Sequence, residues 1–197
     1  GTDGTVTTAA CVIDDTLIIA AQDGTIHAVA STSGSGEGIA SMDGDVHAAP
    51  VANSSRVYVT STQGVVQAIT LDPTETRWTQ EFDAPVRGTP TLTAEGLYVG
   101  TADGSIAALD PTSGARRWET TVEGGIQTGL ATAADILLVG TDTGRILAFD
   151  TEDRQERWQF DAGTAISTPL SVAGELLYFG TEDGSVYAVT SEAGMLY

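Results

Sequence analysis

Five apolar triplets, Leu17-Ile18-Ile19, Val57-Tyr58-Val59, Leu97-Tyr98-Val99, Leu137-Leu138-Val139 and Leu177-Tyr178-Phe179, follow one another at intervals of 40 residues. Each is a continuous apolar run rather than an alternation, the pattern of a strand covered on both faces. A polar stretch ending in glycine comes next, at Gly24, Gly64, Gly104, Gly144 and Gly184, and four residues later an alanine: Ala28, Ala68, Ala108, Ala148 and Ala188. The third copy spells out the unit. Gly100-Thr101-Ala102-Asp103-Gly104-Ser105-Ile106-Ala107-Ala108-Leu109 reads as strand, tight turn, strand, because Asp-Gly between apolar runs favours a two-residue hairpin turn with glycine at positive φ. Four strands are predicted in this copy: A from Thr89 to Thr93, B from Leu97 to Gly100, C from Ser105 to Leu109 and D from Ala115 to Thr121. Turns fall at Ala94-Glu95-Gly96 and in the cluster Asp110-Pro111-Thr112-Ser113-Gly114. No stretch has helical periodicity.

A period near 40 built from short strands predicts an all-β fold, a β-propeller with one four-stranded blade per repeat. The chain reads as a single propeller domain over 1–197, with repeats near 1–40, 41–80, 81–120, 121–160 and 161–197. A chain of this length buries about 70% of the surface its unfolded form exposes. Trp78, Trp118 and Trp158 mark strand D, whereas the first copy has Gly38 there, inside the run Ser33-Gly34-Ser35-Gly36-Glu37-Gly38, and the fifth copy stops at Tyr197 before reaching the position. The first outer strand is therefore expected to be degenerate and the last to be missing, as is common at the ends of repeat arrays. A closed five-bladed ring and a part of a larger propeller both fit.

Charge changes the picture next. There are 27 acidic residues against 8 basic ones, a formal net charge of −19, and every basic residue apart from the two histidines is an arginine. Such a chain repels itself in dilute buffer and is relieved in molar salt, where the Debye length falls to about 3 Å. Acid excess with no lysine resembles the proteins of extreme halophiles, haloarchaea above all. Binding of nucleic acid is not expected, since phosphate contact needs a basic face. No apolar run approaches the ~20 residues of a membrane-spanning helix, and the opening Gly1-Thr2-Asp3-Gly4 does not read as a signal peptide. Cys11 is the single cysteine; beside Val12 and Ile13 it is expected to be a buried structural thiol. Asn53-Ser54-Ser55, at a predicted A–B turn, is a glycosylation acceptor pattern that suits a secreted or cell-surface protein.

The repeat itself can be compared with known ones. The Trp-Asp pair of WD40 blades is absent, each tryptophan being followed by Thr79, Glu119 or Gln159, and the paired glycines of kelch blades occur only at Gly124-Gly125. Gly100-Thr101-Ala102-Asp103-Gly104, Leu109-Asp110-Pro111-Thr112-Ser113-Gly114 and Trp118 resemble the PQQ-like, quinoprotein-type repeat: apolar strand, Gly-Thr-x-Asp-Gly, small-residue strand, Asp-Pro-x-x-Gly, then Trp. Gly140-Thr141 with Asp150 and Trp158, and Gly180-Thr181-Glu182-Asp183-Gly184, match it in part. The resemblance implies a propeller. It leaves function open, since such repeats occur in alcohol dehydrogenases, in BamB-type outer-membrane assembly lipoproteins and in sensor domains attached to kinases.

Repetition separates residues that serve the fold from residues free to do something else. At the lead-in to strand A, Val6, Val46, Val86, Ile126 and Ile166 agree; the next residues, Thr7, His47, Arg87, Gln127 and Ser167, are all polar and all different. Strand A is innermost in blades of the type resembled, so these five are expected to ring the mouth of a central channel as a polar funnel for a ligand or peptide. Asp23, Asp103 and Asp183 occupy equivalent turns in separate repeats, where a turn role suffices and the six to eight oxygens of a calcium site are not at hand. His27 and His47 lack metal-ligand spacing, and there is no Gly-x-Ser-x-Gly. The reading is a non-catalytic scaffold that binds a protein or peptide partner and needs no cofactor. One alternative is a fragment of a quinone-dependent dehydrogenase. Against it, the chain lacks the adjacent cysteine pair and the Glu/Asn/Asp calcium set that this resemblance would imply, Asn53 being the sole asparagine. The other alternative is a ligand-sensing domain of a larger receptor or kinase.

Overall fold

A computed structural model describes residues 4–197; Gly1, Thr2 and Asp3, part of the polar opening, lie outside the described residues. Every regular element among them is a strand. The first sheet holds β1 (Cys11–Ile13), β2 (Thr16–Ala20), β3 (Thr25–Ala30) and β4 (Gly36–Ser41); the second holds β5 (Val51–Ala52), β6 (Arg56–Thr60), β7 (Val65–Leu71) and β8 (Thr74–Glu81). The third holds β9 (Thr91–Leu92), β10 (Leu97–Gly100), β11 (Ser105–Leu109) and β12 (Arg116–Thr121), and the fourth β13 (Ala131–Ala133), β14 (Ile136–Gly140), β15 (Arg145–Asp150) and β16 (Glu156–Asp161). The fifth has three strands, β17 (Ser171–Ala173), β18 (Leu176–Gly180) and β19 (Val186–Thr190). Each sheet is an antiparallel meander in chain order.

The register explains the invariant alanine. Tyr58 pairs with Ala68 and Ala68 with Trp78; Tyr98, Ala108 and Trp118 line up in the same way, as do Leu138, Ala148 and Trp158. A small residue thus stands between two large ones on one face, and the dip admits side chains of the next sheet. Four apolar cores result, one between each pair of consecutive sheets. The second, for example, packs Tyr58, Val66, Ala68 and Trp78 against Leu97, Val99, Ala107 and Leu109.

No core joins the fifth sheet to the first among the described residues. Tyr178 and Val186 lie bare at one end, and Val6 and Val12 at the other. The array is open: of the two arrangements that fit the sequence, the closed five-bladed ring is not formed.

Four local expectations need correction. The B–C connection spans four residues, 101–104, instead of a two-residue turn. Thr101 N donates to Ser105 O, Gly104 N donates to Thr101 O, and Gly104 has φ +90°. Strand A is short, only Thr91–Leu92 in the third sheet, and the next residue, Thr93, already belongs to the A–B turn, its N–H donating to Gly96 O. The first outer strand forms in spite of its glycines, with a register shift between Ile26 and His27. The Cys11 thiol is half-buried against the first core, and desolvation raises its pKa. As expected, the last outer strand is only begun, by the bridge Val189–Leu196 and the bond from Tyr197 N to Ala188 O.

Candidate functional site

The lead-ins to the first strands are pinned by a repeated backbone bond. Val46 N donates to Gln22 O (3.2 Å), Val86 N to Ser61 O (3.2 Å), Ile126 N to Thr101 O (2.9 Å) and Ile166 N to Thr141 O (3.1 Å). In each case the acceptor belongs to the B–C loop of the preceding sheet. The apolar side chain at this position is buried in all four, while Val6, with no preceding sheet, is exposed. Burial of the anchor turns His47, Arg87, Gln127 and Ser167 outward, and all four are exposed, as is Thr7 beside the exposed Val6.

Successive lead-ins also approach one another. A Cβ added to Gly88 would lie 2.1 Å from Thr128 O, and Thr91 Oγ1 donates to Leu130 O (2.7 Å). Arg87 and Gln127, next to Gly88 and Thr128 in the chain, are thereby carried on touching backbones. No hydrogen bond or ion pair joins any of the five residues to another among the described residues. His47 Nε2 is 3.9 Å from the Asp45 carboxylate, and Gln127 Nε2 donates to Asp142 Oδ2 (3.3 Å).

Asp142 is a residue that the motifs of the sequence do not single out. Its other oxygen, Oδ1, accepts the Gly125 amide (2.7 Å), which fixes a carboxylate beside Gln127. The signal for it lies in the variable third residue of the Gly-Thr-x-Asp-Gly motif, which runs Gln22, Thr62, Ala102, Asp142, Glu182.

The turn aspartates are engaged where they stand. Asp23 Oδ1 accepts Thr25 N and Thr25 Oγ1; Asp103 Oδ1 accepts Thr101 Oγ1 and Ser105 N; Asp183 Oδ1 accepts Thr181 Oγ1 and Ser185 N. In all three the threonine hydroxyl is the main cause of a lowered pKa. Among the described residues no three His, Cys, Asp or Glu side chains gather as metal ligands. The His27 ring bonds only to Thr25 Oγ1 (3.2 Å) among the described residues. The Asn53 amide is tied into its turn, Oδ1 accepting Ser55 N and Arg56 N and Nδ2 donating to Tyr58 Oη.

The comparisons with known proteins agree with this frame. The family described as outer membrane protein assembly factor BamB matches residues 22–119 and again 102–196. BamB from Moraxella catarrhalis superposes over 100% of the chain with a TM-score of 0.83 and 20% identity. The computationally designed Ika8 protein superposes over 100% with a TM-score of 0.84 and 19% identity. Quinohemoprotein alcohol dehydrogenase from Comamonas testosteroni superposes over 98% with a TM-score of 0.82 and 16% identity. The chain spans 64%, 61% and 42% of these three proteins' own lengths. No curated protein sequence matches it.

Proposed function

We propose, from the premise that this chain belongs to the BamB family of PQQ-like repeat propellers, that it is a non-catalytic scaffold whose lead-in rim docks a protein or peptide partner. One observation carries the reading: four of the five lead-in anchors, Val46, Val86, Ile126 and Ile166, are buried and bonded to the preceding sheet, while the residue after every anchor is exposed and of a different polar type. A rigid frame presenting a variable polar rim is the arrangement of a recognition surface. With a net charge of −19, the partner best suited is a basic, extended peptide. Selection from a displayed peptide library in molar salt, followed by titration of the enriched peptides, tests this. The double variant His47→Ala/Arg87→Ala is expected to weaken binding at least tenfold; unchanged affinity overturns the assignment.

A dehydrogenase neighbour favours a second reading, a fragment of a quinone-dependent enzyme. The residues present do not fit a quinone and calcium. Cys11 is the single thiol, and the one asparagine is held by its own turn. Saturable binding of pyrroloquinoline quinone with calcium would restore the enzyme reading.

We further infer a salt-loving source from the acidic, lysine-free composition. The melting temperature is expected to rise steadily from about 0.1 M to molar KCl as the Debye length shrinks. A flat profile by circular dichroism contradicts it.

A further inference from the structure

The tryptophans of strand D seal consecutive sheets, and one of the three seals is broken. Between the second and third sheets, Trp78 Nε1 and Tyr58 Oη both donate to Pro111 O, at 3.1 and 3.0 Å. The two rings pack with centroids 5.9 Å apart. Between the fourth and fifth sheets, Trp158 Nε1 donates to Ser191 O (3.0 Å). The glycine three residues further on makes room for the indole. A Cβ at Gly114 would lie 2.6 Å from Trp78 Cδ2, and one at Gly194 would lie 2.3 Å from Trp158 Cε3.

At the junction between the third and fourth sheets the corresponding residues are Tyr98, Trp118, Thr151 and, in place of glycine, Arg154. Arg154 keeps the backbone shape of the glycine, with φ +66°, but carries a side chain where the indole would sit. Trp118 packs edge-on against Phe149 instead, with centroids 6.1 Å apart. Neither Trp118 Nε1 nor Tyr98 Oη bonds to the Thr151 carbonyl among the described residues. What remains is a cleft of about 180 Å³ lined by Tyr98, Trp118, Leu137, Arg154, Arg117 and Asp150, with Glu95 at its side. It opens at the A–B and C–D turns, the opposite end of the sheets from the lead-in rim.

The charges of the cleft are not equally free. Asp150 accepts Glu152 N and Asp153 N and is paired with Arg157; Arg117 is paired with Asp110 and donates to Glu95 O. Arg154 has no ion pair among the described residues. The free donors are therefore the Trp118 indole N–H, the Tyr98 hydroxyl and the Arg154 guanidinium, beside an apolar floor. The Glu95 carboxylate disfavours a second negative charge. A cavity of about 150 Å³ already admits benzene.

We propose that this cleft binds a small monocarboxylate with an apolar body. The carboxylate takes the Trp118 N–H and Arg154, and the body lies against Trp118, Tyr98 and Leu137. The site is independent of the lead-in rim and of the partner proposed for it.

Calorimetric titration of the 197-residue chain in molar KCl tests it, with sodium benzoate as the probe and benzyl alcohol as the uncharged control. One saturable benzoate site is expected, with benzyl alcohol at least fivefold weaker. Arg154→Gly, which restores the residue of the sealed junctions and keeps the fold, is expected to weaken benzoate binding at least tenfold. Trp118→Phe, which keeps the ring and removes the donor, is expected to weaken it severalfold. Absence of saturable binding, equal binding of the two probes, or full binding by Arg154→Gly overturns the proposal.

Discussion

The faces inside the array and the faces at its two ends are built from the same positions of the repeat, yet they meet opposite fates. Ile106 faces the fourth sheet and is 0% exposed; Val186, 80 residues later at the equivalent position, has no sheet to face and is 80% exposed. Tyr58 is fully buried, and its equivalent Tyr178 is 38% exposed. At the other end Val46 is buried and Val6 is not. An apolar residue in this repeat says which way a sheet expects a neighbour. Whether the neighbour is there is decided by the array.

The sharpest test replaces the same position twice. Ile106→Ala is expected to cost about 2–5 kcal/mol, by lost transfer energy plus the cavity left behind. Val186→Ala should stay within about 0.5 kcal/mol. Urea denaturation measures both, and equal losses would show that the fifth sheet is covered in solution.

Next in size come the junction seals. Trp78→Phe removes the donor that reaches Pro111 and should cost about 1 kcal/mol, while Trp118→Phe, with no such bond, should leave stability nearly unchanged. Arg154→Gly relieves a side chain at positive φ and is expected to stabilise the fold by roughly 0.5–1 kcal/mol, part of the gain being returned as glycine's extra chain entropy. Thermal melts of the three variants decide whether the third junction is open.

The smallest effect is electrostatic and concerns the turn that presents Pro111. Asp110 Oδ1 accepts Ser113 N (2.7 Å) and Thr112 N (2.9 Å), and its other oxygen meets Arg117. The backbone bond from Ser113 is the leading cause that lowers its pKa to about 2. An unfolded aspartate titrates near pH 3.9, so the native carboxylate binds its proton less readily than the unfolded one. Its contribution is complete above that value and is lost as pH falls through the interval down to about 2. Asp110→Asn should flatten the acid limb of a stability–pH curve over that interval; an unaltered limb would place the acid sensitivity elsewhere.

Much of the fold is legible in the amino-acid sequence. Strands B and C of the third repeat fall at Leu97–Gly100 and Ser105–Leu109, as the apolar runs indicate. The turn role of Asp23, Asp103 and Asp183 is readable from their place beside glycine. Strand A is shorter than the residue pattern indicates, Thr93 N being taken by Gly96 O in the A–B turn, and the bond from Val86 N to the preceding sheet is one that no local pattern announces. The outward turn of His47, Arg87 and their equivalents follows from the contrast between constant and variable neighbours. Their bonding partners do not, since Asp142 lies 15 residues from Gln127.

Repetition, strand order within a sheet and the class of fold belong to the sequence alone, because they follow from the period of apolar residues and from glycine in the turns. Openness of the array, the bare end faces and the cleft at Arg154 belong to the tertiary structure. Arg154 is visible in the sequence as a departure from glycine, but its consequence depends on Trp118, 36 residues away, losing its seat on the facing turn. Apolar burial and close packing are properties of pairs of surfaces, and a sequence specifies each surface without stating which one it meets.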